Sequence, residues 1–294
     1  MSETFLDFAA RLRSSPWALS APGIARLRAL VDGGPRGARA ARPAPRRRGV
    51  AAGTAVLSIV GILDQREGWL AMFGLGTSCD SISAALSEAL NDPAVKRILL
   101  DIDSPGGSVA GVIELADEIF AARSKKPIVA VANSLAASAA YWIGSQATKM
   151  YVSPGAEVGS IGVYMQHKDA TKAMADAGIN ITLVSAGRFK TEGNPFSALD
   201  PNAQAFMQSR VDDYYRAFVG AVARGRGVPP SKVRGGMGQG RVLGADQALA
   251  EKMVDGIATL AEVLTGRMAL GGSTSAHTLR PGVARALREL RLLG

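Results

Sequence analysis

The sequence predicts an α/β domain built on a mainly parallel sheet, and three observations carry the prediction. From about residue 55 onward, short runs rich in β-branched residues alternate with stretches whose apolar positions recur at helical spacing. The short runs are apolar throughout rather than at every second position, the mark of strands covered on both faces. The chain has 294 residues, 47% of them hydrophobic and 20% charged, which suffices for one large core.

The elements follow in order. Residues 1–30 mix apolar and basic positions, which fits one or two short helices broken by Pro16, Trp17 and Pro22. Gly33 to Gly49 is almost entirely Gly, Pro, Arg and Ala, a linker or arm composition. Ala55 to Leu63 is the first strand, and Asp80 to Leu90 a helix with Ile82, Ala85, Leu86, Ala89 and Leu90 at helical spacing. Arg97 to Asp103 is a buried strand, and Ser108 to Arg123 a helix presenting Val109, Val112, Leu115, Ala116, Ile119 and Phe120 on one face. Pro127 to Asn133 is a second buried strand, followed by a short helix from Ser138 to Thr148. Strands are expected at Lys149 to Val152, Ile161 to Met165 and Ile181 to Ser185, with a helix from Asp169 to Ala177. A long helix spans Asp200 to Ala223, a Gly/Arg-rich loop runs to Gly240, and Arg241 to Leu264 reads as one or two helices. Residues 271–279 are polar, and Pro281 to Leu293 is a small basic amphipathic helix. The domain plan is a basic arm at 1–48, one α/β domain at 49–270, and a linker with a short helix at 271–294.

The net charge of +9 lies at the ends. Residues 1–48 hold ten Arg against three acids and residues 271–294 four Arg against Glu289, so the domain between them is close to neutral. Basic ends of this kind suit a solvated tail, or contact with nucleic acid, an acidic protein or a neighbouring subunit. The single cysteine, Cys79, excludes an internal disulfide and any Cys cluster for a metal. The longest apolar stretch, Val50 to Leu63, is interrupted by Gly53, Thr54, Ser58 and Gly61 and falls short of the ~20 residues a bilayer requires. The N-terminus carries Glu3 and Asp7 where a secretion signal has a basic start. A cytoplasmic protein without a membrane anchor is the expectation.

Chemistry is expected where strands pass into helices, because backbone N–H groups there point out of the sheet. Asp103 to Ser108, DSPGGS, is one such turn, with Gly106 and Gly107 able to take positive φ and aim successive amides at an anion. That suits an oxyanion hole, and equally a plain tight turn or a phosphate site. No G-x-x-x-x-G-K-[ST] run is present. In Asn133 to Trp142, NSLAASAAYW, Ser138 opens a helix after a buried strand; a serine there is ordinarily a cap, and with a base beside it a nucleophile. The base is His167, in YMQHKD, or a lysine, whose pKa falls when it is buried beside neutral groups. Of nine lysines Lys190, in SAGRFKTEGNPF, stands in a segment rich in functional groups directly after an expected strand.

Four motifs in order, DIDSPGGSVAG, NSLAASAAYWIGS, EVGSIGV and SAGRFK, resemble the signal peptide peptidase A family of serine peptidases, and within it the phage head maturation proteases. The likeness covers roughly Ala51 to Leu264. It implies a Clp/crotonase-like superhelix of β-β-α units and a Ser-Lys dyad with Ser138 as nucleophile and Lys190 as base. It further implies oxyanion amides from Gly106, Gly107 and Ala139, a hydroxyl of Ser160 orienting the lysine, and no metal or other cofactor. The implied substrates are protein, capsid and scaffold proteins above all; the implied assembly is a homo-oligomer, and the implied location is the host cytoplasm or the virion. Many relatives have A-A-S-G-G where this chain has A-A-S-A-A, so Ala139 and Ala140 would narrow the site. Alternatives within the same fold are a signal-peptide or general protein-degrading peptidase, an acyl-CoA-handling crotonase relative, and an inactive capsid-assembly subunit.

Overall fold

The computed structural model describes residues 15–21, 23–25, 48–51, 53–72 and 74–266. The expected C-terminal helix, the 271–279 linker and most of the Gly33 to Gly49 run lie outside them. In chain order the strands are β1 (Trp17–Leu19), β2 (Arg48–Ala51), β3 (Thr54–Val60), β4 (Ile62–Asp64), β5 (Gly76–Ser78), β6 (Arg97–Ser104), β7 (Gly106–Ser108), β8 (Ile128–Ala137), β9 (Lys149–Val152), β10 (Glu157–Gly159), β11 (Val242–Gly244) and β12 (Gly256–Ile257). The helices are α1 (Trp69–Met72), α2 (Cys79–Asn91), α3 (Val112–Ala122), α4 (Ala139–Gly144), α5 (Thr171–Asp176), α6 (Pro201–Arg226), α7 (Pro230–Gly235), α8 (Ala245–Ala250) and α9 (Leu260–Thr265).

The apolar runs read as buried strands form the centre of the larger sheet, ordered β11-β10-β8-β6-β3-β2. Within it β3, β6 and β8 are parallel neighbours, Leu57 opposite Leu100 and Leu100 opposite Ala130, with β9 and β10 both parallel to β8. Only β2 and β11 run antiparallel at its margins. A smaller sheet, β1-β7-β4-β5, stands beside it. Twice the chain runs from a large-sheet strand into a small-sheet strand and then towards a helix, as β3-β4 leading to α2 and β6-β7-α3, which is the repeating β-β-α order expected. The third pass, β8 into α4, omits the small-sheet strand and places residue 138 at the junction.

The covering helices are anchored by the residues that predicted them. Ile82, Ala85, Leu86 and Ala89 of α2 and Leu115, Ala116 and Ile119 of α3 are buried in one cluster with Leu57, Ile98 and Leu100. The Ser78 side chain accepts from the Ser81 amide to cap α2, satisfying a backbone donor the helix cannot satisfy itself. α4 is buried at every residue, and Trp142 stacks on Phe218 of α6 at 4.4 Å between centroids. A Cβ on Gly225 would meet the Ser145 carbonyl carbon at 2.9 Å, so α6 passes the end of α4 as close as backbone allows.

Five expectations differ from the structure. Ile181 to Ser185 forms no strand: residues 175–190 are all exposed and lie against no strand edge, and a β-prone run without a partner has no ladder to join. Ile161 to Met165 is reduced to one bridge, Tyr164 to Trp17. Arg241 to Leu264 contributes β11 and β12 as well as helices, because β10 and β9 present open edges to Val242–Gly244 and Gly256–Ile257. The Gly/Arg-rich loop likewise holds α7, which Pro230 opens. Finally, Trp17–Leu19, inside the stretch expected as an arm, is a buried strand of the small sheet.

Candidate active site

Ser138 sits where β8 ends and α4 begins, at φ 55° and ψ −119°. A non-glycine residue avoids that conformation, which costs roughly 1–3 kcal/mol and persists only where the surroundings impose it. The imposition is visible: the Ser138 amide donates to the Gly159 carbonyl at 2.6 Å, and the Ser138 carbonyl accepts from Trp142 at 2.9 Å to start the helix. Although it occupies the N-cap position, the side chain makes no capping hydrogen bond. Its hydroxyl has one long contact, 3.4 Å to the Gly162 carbonyl. A strained, fully buried serine whose hydroxyl is left out of the cap differs from the ordinary capping serine.

Ser160 is brought alongside. Gly159 pairs with Ala137 in the parallel β10-β8 register, so Ser160 and Ser138 leave the two neighbouring strands at the same level. Ser160 also has φ 55°, is nearly buried, and donates its amide to the Arg241 carbonyl at 2.8 Å.

The glycine turn lies against the same junction. Gly106 has φ 96°, and a Cβ there would strike the Ala18 carbonyl and lie 2.9 Å from the Ala137 carbonyl and 3.0 Å from the Ala139 nitrogen. Gly106 and the amide that follows Ser138 thus face each other across a gap without room for a methyl group. Gly107 requires glycine for another reason than the positive φ expected: its φ is not positive, and a side chain would run into the Leu63 backbone of β4. Ser104 locks the turn, donating to the Gly61 carbonyl at 2.6 Å and accepting from the Gly106 amide at 3.2 Å. That serine was not singled out from the sequence; its only signal is its place in DSPGGS, where a hydroxyl before Pro-Gly-Gly can reach back to the turn's own amides.

Lys190 lies elsewhere in the single chain. It is exposed, in a turn closed by its own amide donating to the Gly187 carbonyl at 3.1 Å, and no hydrogen bond joins its side chain to Ser138 or Ser160. His167 is tied to the same excursion, with Nε2 2.9 Å from the Asn194 carbonyl, and does not pair with Ser138. Among the described residues no cluster of His, Cys, Asp or Glu could hold a metal ion. Cys79, the first residue of α2, is buried, and its thiol is pushed up to about 12 by desolvation, then by Asp64 and Asp80.

The junction thus holds a strained, buried serine whose hydroxyl is left out of the cap, with the Gly106 turn packed against the amide that follows it. Comparison with known proteins then gives the family. Residues 121–272 match Peptidase family S49, and the chain belongs to it. It is 36% identical over 255 residues to head-tail preconnector protein GP5 of Enterobacteria phage P21, covering 84% of this chain and 49% of that protein. With capsid assembly protease C of Escherichia phage lambda it shares 38% over 192 residues, 65% of this chain and 42% of the other. With protease 4 of Salmonella typhi it shares 31% over 179 residues, 60% and 29%. The chain thus spans about half the length of the phage relatives it matches.

Proposed function

We propose that this protein is a serine endopeptidase that cuts capsid and scaffold proteins during phage head maturation, with Ser138 as nucleophile. The observation that carries the reading is the backbone of Ser138, a buried non-glycine residue at φ 55° whose hydroxyl is withheld from capping. The name of the phage lambda relative, capsid assembly protease C, supports a capsid-related substrate. In this reading Ser138 Oγ attacks the scissile carbonyl, the amides of Ala139 and the 106–107 turn receive the oxyanion, and water hydrolyses the acyl-enzyme. No metal or cofactor enters the scheme.

Lys190 is the proposed base, and Ser160 the hydroxyl that orients it. An exposed lysine serves as base only after its segment is covered, and the residues around it are suited to being covered: Ile179, Ile181, Leu183, Val184 and Phe189 are all exposed, Val184 at 95%. A homo-oligomer whose neighbouring chain buries this stretch accounts for both facts.

The test is labelling with a fluorophosphonate, together with incubation with the capsid and scaffold proteins encoded beside it, read by mass spectrometry. Wild type should label at Ser138 and cut; Lys190→Arg should be dead, because a guanidinium cannot accept the serine proton; His167→Gln should keep most of the rate. His167→Gln dead with Lys190→Arg active would replace the dyad by a Ser-His pair, and no labelling of folded wild type would favour an inactive assembly subunit.

A further inference from the structure

We propose that Trp17–Leu19 is a resident pseudosubstrate, occupying the groove in which an extended peptide lies against the 104–108 turn, and that it must leave before a substrate can enter. The inference rests on the reading of Ser138 as nucleophile.

The strand is paired on both edges. On one side it runs antiparallel to β7, with Trp17 opposite Ser108, Ala18 opposite Gly107 and Leu19 opposite Gly106. β7 is bonded on its other edge to β4, so β1 takes the only edge left on that strand. On the far side Trp17 exchanges two hydrogen bonds of 3.0 Å with Tyr164, four residues beyond Ser160. The direction of the bonds alternates. The Pro16 carbonyl accepts from Val109 at 3.3 Å and the Ser20 amide donates to Pro105 at 2.9 Å, so even-numbered residues face β7 while Trp17 faces Tyr164. Alternation therefore turns the Ala18 carbonyl towards Gly107, one of the amides assigned to the oxyanion. The same carbonyl, with the Ala137 oxygen and the Ala139 nitrogen, makes up the three atoms nearest the vacant Cβ position of Gly106. The main chain of residue 18 thus crosses the turn beside the nucleophile, where a scissile carbonyl would have to lie.

Three features make this segment a tenant of the groove rather than a fixed strand. The pairing is main chain to main chain, and any extended peptide reproduces it. The strand has three residues and is joined to β2 by a segment that includes the Gly, Pro, Arg and Ala run from Gly33, so its local concentration at the groove is set by the intervening chain. The Ser20 hydroxyl is buried without a partner, a cost that release into water removes. The side chains describe the ligand the groove accepts: a small residue where Ala18 is fully buried, flanked by large apolar residues where Trp17 and Leu19 are buried. A protein substrate has to offer a segment of that kind in extended form. Its apparent affinity is lowered in proportion to the fraction of chains in which β1 is out.

The test uses the full chain carrying Ser138→Ala, so that no turnover is needed, and a fluorescent, end-blocked peptide with the sequence of residues 14–21. Adding Ala18→Pro removes the N–H that faces β7 and should tighten peptide binding at least tenfold. In the chain with β1 unaltered, saturating peptide should speed amide exchange at residues 17–20 while the Gly107 and Tyr164 amides stay protected. Equal affinity in both chains, binding with exchange at 17–20 unchanged, or no binding by either would each overturn the proposal. If Ala18→Pro loses its melting transition, the exchange measurement decides alone. A protein that passes this test, yet whose Ser138 does not react with fluorophosphonate, keeps the pseudosubstrate and loses the peptidase.

Discussion

Replacing Ser138 by glycine should leave the protein about as stable as replacing it by alanine, or more so, and the comparison measures the strain stored at the proposed nucleophile. Alanine removes only the hydroxyl, whose single contact is 3.4 Å long, and keeps the Cβ that makes φ 55° unfavourable. Glycine removes the Cβ as well. At an ordinary backbone position that step from Ala to Gly would cost about 0.5–1 kcal/mol in chain entropy and about 0.8 kcal/mol in buried apolar contact, roughly 1.5 kcal/mol together. Here it also releases strain of about 1–3 kcal/mol, so the net change centres on a gain of about 0.5 kcal/mol, between a loss of about 0.5 and a gain of about 1.5 kcal/mol. For a domain of this size about 1 kcal/mol moves Tm by roughly 2–4 °C. Calorimetry on the two variants should therefore find Ser138→Gly level with Ser138→Ala or ~1–2 °C above it, and both unlabelled by fluorophosphonate. A glycine variant melting ~3–6 °C below the alanine variant would show that the backbone there is relaxed, and the argument from strain to nucleophile would fail.

Two further outcomes test the frame around the site. Gly107→Val should abolish turnover, since a Cβ collides with the Leu63 backbone and displaces an amide donor worth about 3–4 kcal/mol of transition-state stabilisation; unchanged turnover would make the turn purely structural. Asp255 joins α6 to β9: it accepts from Arg226 at 2.8 Å, from the Met150 amide at 2.8 Å and from Lys149 at 3.1 Å. Burial pushes its carboxyl up, but those donors, Arg226 first, hold it below the usual carboxylate range. A depressed folded value gives stability that is complete above the unfolded value and is lost as pH falls through the folded one. Asp255→Asn should thus cost about 2 kcal/mol at pH 7, and chemical denaturation across pH should show the gap to wild type closing below about pH 4; a gap independent of pH would refute the charge-based account.

Much of the core was legible because its signal is local. Continuous apolar runs at 97–103 and 127–133 and helical spacing in 80–90 and 108–123 recur as β6, β8, α2 and α3, since burial on both faces or on one stripe leaves its period in the sequence. Ile181 to Ser185 carries the same β-branched signal and forms no strand, because propensity supplies no partner edge. Trp17-Ala-Leu is an apolar island between Pro16 and Ser20 that, surrounded by arginines, is indistinguishable from an arm; its partners lie some ninety residues away, at Gly106 to Ser108.

The sequence by itself determined the class of fold, the family motifs and the residue types at the junction, because glycines, small residues and apolar periods act through their own backbone and nearest neighbours. Only the tertiary structure decided that Ser138 takes φ 55° without capping α4, that Ser160 stands beside it through the β8-β10 register, that Gly107 is required by the approach of Leu63, and that Lys190 stays on an exposed excursion while Trp17–Leu19 pairs with β7. Each of these depends on which strand edges meet, and edge pairing is a free-energy competition among distant segments that no local pattern of residues encodes.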